Sequence, residues 1–334
     1  YYTPSNISYI TSLVNSDHLA YNHLMLSPAW IAQSPTNPVI FAPTLEETLR
    51  WQEASKEIET AHTHGYSISL FPQILFPTNS LDWWAAFPAD SEVNWQRWLE
   101  QYRAMVYQYA EFAEEAQAEI FVLGGNWLTP ALPVANNAEI YHQPGNMESL
   151  WEETIAGVRE RYHGSLAWLL TADIAKQPPV FLKDVDSLYL QWDIPAEEYS
   201  DVSDLSAQIG DKLETIAQPL AENLNKPVTL LLAYPSISGY SGGCISSPND
   251  EGNCINIEAL LLEPSVENPA LADLNAQADY YQAFVTAVDQ RPWVDGVLSQ
   301  GYYPVNQIHD TSASIHGKPT EIIFANWAAH VLGN

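Results

Sequence analysis

Three side chains sit where short apolar runs break off, and two of them are carboxylates that could do acid–base chemistry. Asp173 closes the run in "LLTADIA" and Asp193 that in "LYLQWDIP"; Asn126 holds the matching place in "FVLGGNWLTPALP", after Phe121, Val122, Leu123 and the Gly124-Gly125 pair. Two carboxylates projecting from neighbouring strand ends are the minimum equipment for cleaving a glycosidic bond, one as acid and the other as base or nucleophile. Their separation sets the outcome, about 5–5.5 Å for retention and about 6.5–9.5 Å for inversion. Each aspartate equally suits a cap or turn at the start of a loop. An asparagine supplies no acidic proton, but its amide can hold a sugar hydroxyl through both NH2 and C=O.

Aromatic residues crowd the same strand ends. Trp30, Trp83, Trp84, Trp127, Trp192, Tyr234, Tyr240 and Tyr302, with Gln300, are candidate saccharide contacts. For any single ring the plainer alternative is a place in the core. The loop "AEIYHQPGN" adds Glu139 and His142, for which a solvated loop is the simpler reading. No G-x-G-x-x-G precedes a helix, and no phosphate loop, H-E-x-x-H or G-x-S-x-G is present. His62-x-His64 lies at a helix end and reads as a cap rather than a metal site. No cofactor and no metal is implied.

Forty-one acids against twelve bases give a formal charge of −29. That balance argues against nucleic acid or an anionic membrane surface as partner, since both need Lys/Arg. It fits a neutral oligosaccharide or polysaccharide, and twelve Trp with eighteen Tyr fit sugar faces stacking on rings. No run approaches the ~20 apolar residues that span a bilayer, so membrane insertion is not expected. Cys244 and Cys254, ten residues apart across a Ser-Pro-Asn-Asp-Gly loop, suit a local disulfide, the alternative being two free thiols. A disulfide implies an extracytoplasmic location. The chain opens on "YYTPSN" without Met or an apolar leader, which predicts a mature, secreted form or one attached through a removed segment. A monomer is the default.

The elements that must position these residues alternate. Apolar strand runs fall at Tyr21–Pro28, Tyr66–Pro72, Ile120–Gly124, Leu166–Thr171, Ser187–Trp192, Val228–Ala233 and Val294–Gln300, with an eighth expected near Tyr1-Tyr2. Capping boxes at Thr44–Glu47 and Ser149–Glu152 open helices that stop at His64-Gly65 and His163-Gly164. Trp95, Trp98, Leu99, Tyr102, Val106, Tyr109 and Ala113 recur at helical spacing and read as a core face. No linker interrupts the series. The expected fold is α/β, a single (β/α)8 TIM barrel over residues 1–334 with long loops at the C-terminal face.

"LAYNHLMLSPAW", "TAHTHGYSISLFPQ", "YRAMVYQYAEFAEEAQAEIFVLGGNW" and "HDTSASIHGKPTEIIFANW" resemble the clan A TIM-barrel glycoside hydrolases, most of all the family 113 β-mannanases and related secreted bacterial barrels. The resemblance spans nearly the whole chain. It implies an acid/base glutamate after the fourth barrel strand and a nucleophilic glutamate ending the seventh. Laid on this sequence, the first position falls on Asn126 and the second near Leu231 in "LLLAYPS". Neither holds a carboxylate, so the two-glutamate mechanism does not carry over intact. Three readings stay open: chemistry moved to Asp193 and Asp173, Asn126 standing in for an acid, or a non-catalytic carbohydrate-binding barrel. The expected function is a glycoside hydrolase acting on a neutral glycan, with Asn126 orienting a hydroxyl beside the bond.

Overall fold

The computed structural model describes residues 21–41, 47–77, 80–134, 137–238, 246–247, 250–254, 272–302 and 310–333, with backbone only at 47–50, 246–247 and 250–254. Tyr1-Tyr2, Thr44, Tyr240 and Cys244 lie outside the described residues. Cys254 is described by its backbone alone, at the end of a short hairpin. The described residues divide into two compact units, one of Asn22–Tyr189 and one of Tyr21 with the described residues after Tyr189.

The first unit alternates strands with helices, with strands of a seven-stranded parallel sheet and a small three-stranded sheet that contains one antiparallel pair. In chain order it contains β1 (His23–Leu26), β2 (Ala29–Ala32), β3 (Ile40–Phe41), α1 (Glu47–Thr63), β4 (Ser67–Leu70), β5 (Gln73–Leu75), α2 (Ser80–Ala85), α3 (Glu92–Glu115), β6 (Ile120–Gly124), α4 (Asn137–Ile140), α5 (Met147–Arg159), β7 (Ser165–Thr171), α6 (Ala172–Ala175) and the start of β8 (Ser187–Trp192). Strands β1, β4, β6, β7 and β8 lie side by side in that order. His23 pairs with Ser67, Ser69 with Ile120 and Ile120 with Ser165, all parallel. Strands buried on both faces need continuous apolar runs rather than alternation, and Phe121–Gly124 and Leu166–Leu170 are buried throughout. One polar chain threads this interior. His23 Nε2 lies 2.7 Å from Ser69 Oγ, which lies 2.8 Å from the Tyr189 hydroxyl.

Helix α3 buries the stripe expected of it, from Trp95 to Ala113. Helix α5 differs from expectation. It begins at Met147, two residues before the Ser149 capping box, because Pro144-Gly145-Asn146 makes the turn and Leu150 N–H reaches back to the Asn146 carbonyl at 3.1 Å. Starting there puts buried Met147 on the same face as Trp151. His64 Nδ1–H donates to the Thr60 carbonyl at 2.8 Å, so this histidine closes the last turn of α1 as a cap.

The second unit takes up the end of β8 and continues with α7 (Val202–Lys212), a π-helical turn, α8 (Gln218–Leu224), β9 (Val228–Leu232), the hairpin β10 (Ser246–Ser247) and β11 (Asp250–Cys254), α9 (Leu274–Val288), β12 (Val294–Ser299) and α10 (Pro319–Leu332). Strands β9 and β12 are parallel, Leu231 opposite Leu298. The Asp201 carboxylate accepts Ser203 and Asp204 N–H at the head of α7, and Asp273 does the same for Asn275 and Ala276 at α9, each satisfying amides that the helix itself leaves orphaned.

Candidate active site

The β6 end is shaped by two glycines. Gly124 has φ +93° and Gly125 φ +120°, a region L-residues rarely adopt. A Cβ on Gly124 would lie 2.3 Å from the Leu169 carbonyl oxygen, which already accepts Gly125 N–H at 2.9 Å. The strand therefore leaves its neighbour at one fixed point, and Asn126 follows, half-buried, at the head of a 3-10 turn over Asn126–Ala131. Asn126 Oδ1 accepts the Trp127 N–H at 2.9 Å.

The aromatic candidates divide sharply. Trp83, Trp84 and Trp192 are 2%, 1% and 0% exposed, and Trp30, Trp127 and Tyr234 are buried as well. Such rings have no free face for a sugar, which corrects their assignment as stacking platforms. Trp84 stacks on Trp95 at 5.7 Å and donates its indole N–H to the Trp127 carbonyl at 2.7 Å. Trp127 packs against Phe76 and Tyr102, and Trp30 against Tyr109. Trp83 donates to the Gln33 carbonyl. These rings fasten the loop after β6 and are core. Gln300 and Tyr302 at the end of β12 keep partial exposure, and Tyr302 stacks on His316 at 4.2 Å with an interplanar angle of 25°.

Asp173 opens α6 with its side chain 88% exposed and ion-paired to Lys176 at 2.7 Å. That placement is a solvated helix start. Glu139 and His142 are exposed.

Asp193 is placed differently. It follows β8, half-buried, and its Oδ2 accepts the side-chain amide of buried Gln191 at 3.0 Å. A carboxylate has two oxygens and accepts more than one hydrogen bond, so this side chain suits a hydroxyl or a water as a further donor. The adjoining strand continues this edge: Ala233 N–H donates to the Trp192 carbonyl at 3.0 Å. On β9 itself Leu231 is buried and apolar.

Beyond β9 lies a buried polar knot. Lys318, 3% exposed by side chain, donates from Nζ to Ser236 Oγ at 2.9 Å and to the Ser312 carbonyl at 2.8 Å, with Asp310 Oδ2 at 3.5 Å. Ser236 Oγ in turn donates to the Asp310 carbonyl at 2.6 Å. The serine's proton is thus directed away from the lysine, and the lysine acts as donor, so the pair is a tie rather than an activated nucleophile. Burial pulls the Lys318 ammonium down to about 8, outweighing the attraction of Asp310. Among the described residues no cluster of His, Cys, Asp and Glu could hold a metal ion. No helix among them is long and apolar enough to cross a membrane.

The family model of Glycoside Hydrolase Family 113 matches residues 3–315, a span running through both units. The chain belongs to Glycoside Hydrolase Family 113. Among solved structures, this family 113 chain is similar to the family 113 β-mannanase of Alicyclobacillus acidocaldarius in complex with ManMIm. That match has a TM-score of 0.69 at 22% identity, covering 97% of this chain and 92% of that one. A second family 113 β-1,4-mannanase gives 0.68 at 19% identity, with 96% and 93% covered. The β-glucuronidase of Ruminococcus gnavus gives 0.53 at 9%, over 92% of this chain and 49% of that one. A search of curated proteins returns no match. The fold is accordingly the (β/α)8 barrel of the family 113 glycoside hydrolases.

Gln191, Tyr280 and His316 are not among the candidates the sequence offers, and Lys318 enters only through the closing "GKPTE" stretch that carries the resemblance, without a role. Gln191 and Asp193 stand two apart in "LQWD", spacing that places alternate strand residues on one face; this was the available signal for their bond.

Proposed function

We propose that this family 113 chain cleaves a neutral polysaccharide of the β-mannan type, with Asp193 as its carboxylate base. The observation carrying the reading is the half-buried Asp193 carboxylate at the end of β8, oriented by the Gln191 amide. Asp193 takes the proton of the attacking water as its oxygen bonds the anomeric carbon, and the departing sugar oxygen leaves with a proton from solvent; in the first unit, the Asn126 amide is able to hold a sugar hydroxyl. Tyr302, stacked on His316 with part of its surface open, offers an aromatic contact to a pyranose. Mannan is the first substrate to try because the similar structures are β-mannanases, and a charge of −29 favours a neutral chain over an acidic one. The protein works outside the cytoplasm as a monomer, with Cys244 and Cys254 joined.

A second reading, saccharide binding without turnover, is favoured by a specific observation: Asn126 carries an amide and Leu231 an alkyl group where the resemblance calls for glutamates. The test is reducing-end release from mannans, glucans and arabinans by the parent and Asp193→Ala, beside calorimetric binding of the same glycans. Turnover lost in Asp193→Ala supports the first reading; turnover unchanged in that variant removes Asp193 from the mechanism. Binding with no turnover by the parent establishes the second reading.

A further inference from the structure

One hydroxyl holds both neighbours of Asp193. The Tyr280 hydroxyl, on α9, accepts the Trp192 indole N–H at 3.0 Å and donates to the Ile194 carbonyl at 2.7 Å. Asp193 lies between those two residues in the chain. The Tyr280 ring is itself held: buried, it stacks face to face on Tyr234 at 3.7 Å and 12°, and Tyr234 follows β9. The Tyr234 carbonyl accepts the Gln277 amide at 2.8 Å, one helical turn before Tyr280 on α9.

We propose that Tyr280 is a positioning residue for Asp193. The strand ends at Trp192 and Asp193-Ile194-Pro195 lie outside it, so the direction of the Asp193 carboxylate depends on what fixes its flanks. The phenol fixes the preceding side chain and the following carbonyl from one atom, leaving Asp193 little freedom except toward Gln191. Both bonds use a buried oxygen that no water replaces cheaply. The stack on Tyr234 transmits the end of β9 to the end of β8, so the two strand ends are held in register by side chains as well as by backbone. The proposal rests on the reading of Asp193 as the carboxylate base.

The test replaces only the oxygen. Tyr280→Phe keeps the Tyr234 stack and removes both bonds. Tyr162→Phe is the matched control, because its buried hydroxyl bonds the Ala118 carbonyl at 2.7 Å in the other unit. Misplacing a reacting group by a fraction of an ångström to one ångström costs on the order of 10–100-fold in rate. Tyr280→Phe is therefore expected to lower kcat for mannan at least about tenfold with KM within about twofold, while Tyr162→Phe leaves both at parent values. The side-chain amide protons of Gln191, read by NMR in the saccharide-free protein, are expected to move toward the free-amide position in Tyr280→Phe and to stay in place in Tyr162→Phe. Equal kcat in the two variants together with an unmoved Gln191 amide overturns the proposal. Should the parent release no reducing ends, or Asp193→Ala retain full turnover, the catalytic reading fails. The Gln191 resonance then decides by itself whether Tyr280 sets the Asp193 side chain.

Discussion

Lys318 Nζ lies 2.9 Å from Ser236 Oγ, and this contact binds the head of α10 to the loop that leaves β9. The ammonium sits among carbonyls and hydroxyls with one carboxylate, Asp310, at 3.5 Å. Removing it strands a buried carboxylate, which costs about 3–5 kcal/mol when one partner of a buried pair is deleted. Lys318→Met is expected to lose that much by urea unfolding at pH 7.

The same residue makes stability depend on pH in a definite direction. Burial lowers Lys318 to about 8 in the folded protein against 10.5 when unfolded. Between those values the unfolded chain binds the extra proton, so stability rises with pH. Across the full window the gain approaches about 3 kcal/mol. Burial raises Tyr281 and Tyr234 above the ordinary phenol range, and their sign is opposite: above about 10 the unfolded chain loses protons the native state keeps, and stability falls. Urea midpoints are expected to climb from pH 7.5 to about 9.5 in the parent and to lose that climb in Lys318→Met.

The two glycines after β6 make a sharper demand. A Gly124→Ala methyl would fall 2.3 Å from the Leu169 carbonyl oxygen at φ +93°. Backbone strain of this kind plus a clash against backbone places the variant in the severe class, at least about 3 kcal/mol. A loss under 1 kcal/mol in chemical denaturation would mean β6 and β7 separate readily at this edge.

Asp173 and Trp84 test how exposure governs role. Asp173→Asn removes one exposed pair with Lys176 and is expected to change stability by less than about 0.5 kcal/mol and turnover not at all. Trp84→Ala opens a cavity inside the aromatic column and is expected to cost about 3–5 kcal/mol, read by thermal and urea unfolding. A stable Trp84→Ala protein with weakened saccharide binding would return Trp84 to the substrate face.

The alternation of apolar runs was legible because parallel strands buried on both sides leave no choice of residue. All seven runs from Tyr21–Pro28 to Val294–Gln300 contain a strand. The stripe from Trp95 to Ala113 was legible for the same reason at helical period. The roles of individual tryptophans were not, since a Trp after a strand satisfies both a stacking platform and a loop anchor. Only burial separates them, and Trp84 owes its burial to α3, whose Trp95 and Trp98 are distant in sequence from the strand end. The bonds that Tyr280 and Lys318 make were hidden for a related reason. Their partners Ile194 and Ser236 lie more than eighty residues away, and no local period marks such bonds.

Asn126 offers the last and most direct prediction. Its Oδ1 accepts the Trp127 N–H at the head of the 3-10 turn. An aspartate there keeps the acceptor, exchanges the amide for a second oxygen and adds a negative charge where the turn's amides point outward. Favourable charge at such a terminus is worth about 0.3–1 kcal/mol, so Asn126→Asp is expected to fold with stability equal to or slightly above the parent. Its carboxyl also puts an acid at the position after β6 where the family 113 resemblance implies one. Hydrolysis of mannan is expected to rise above the parent, with an alkaline limb reporting the new acid. A well-folded Asn126→Asp that binds saccharide as the parent does and releases no additional reducing ends would show that a carboxyl after β6 is not enough. The loss at Leu231, buried in β9, would then be the change that limits turnover.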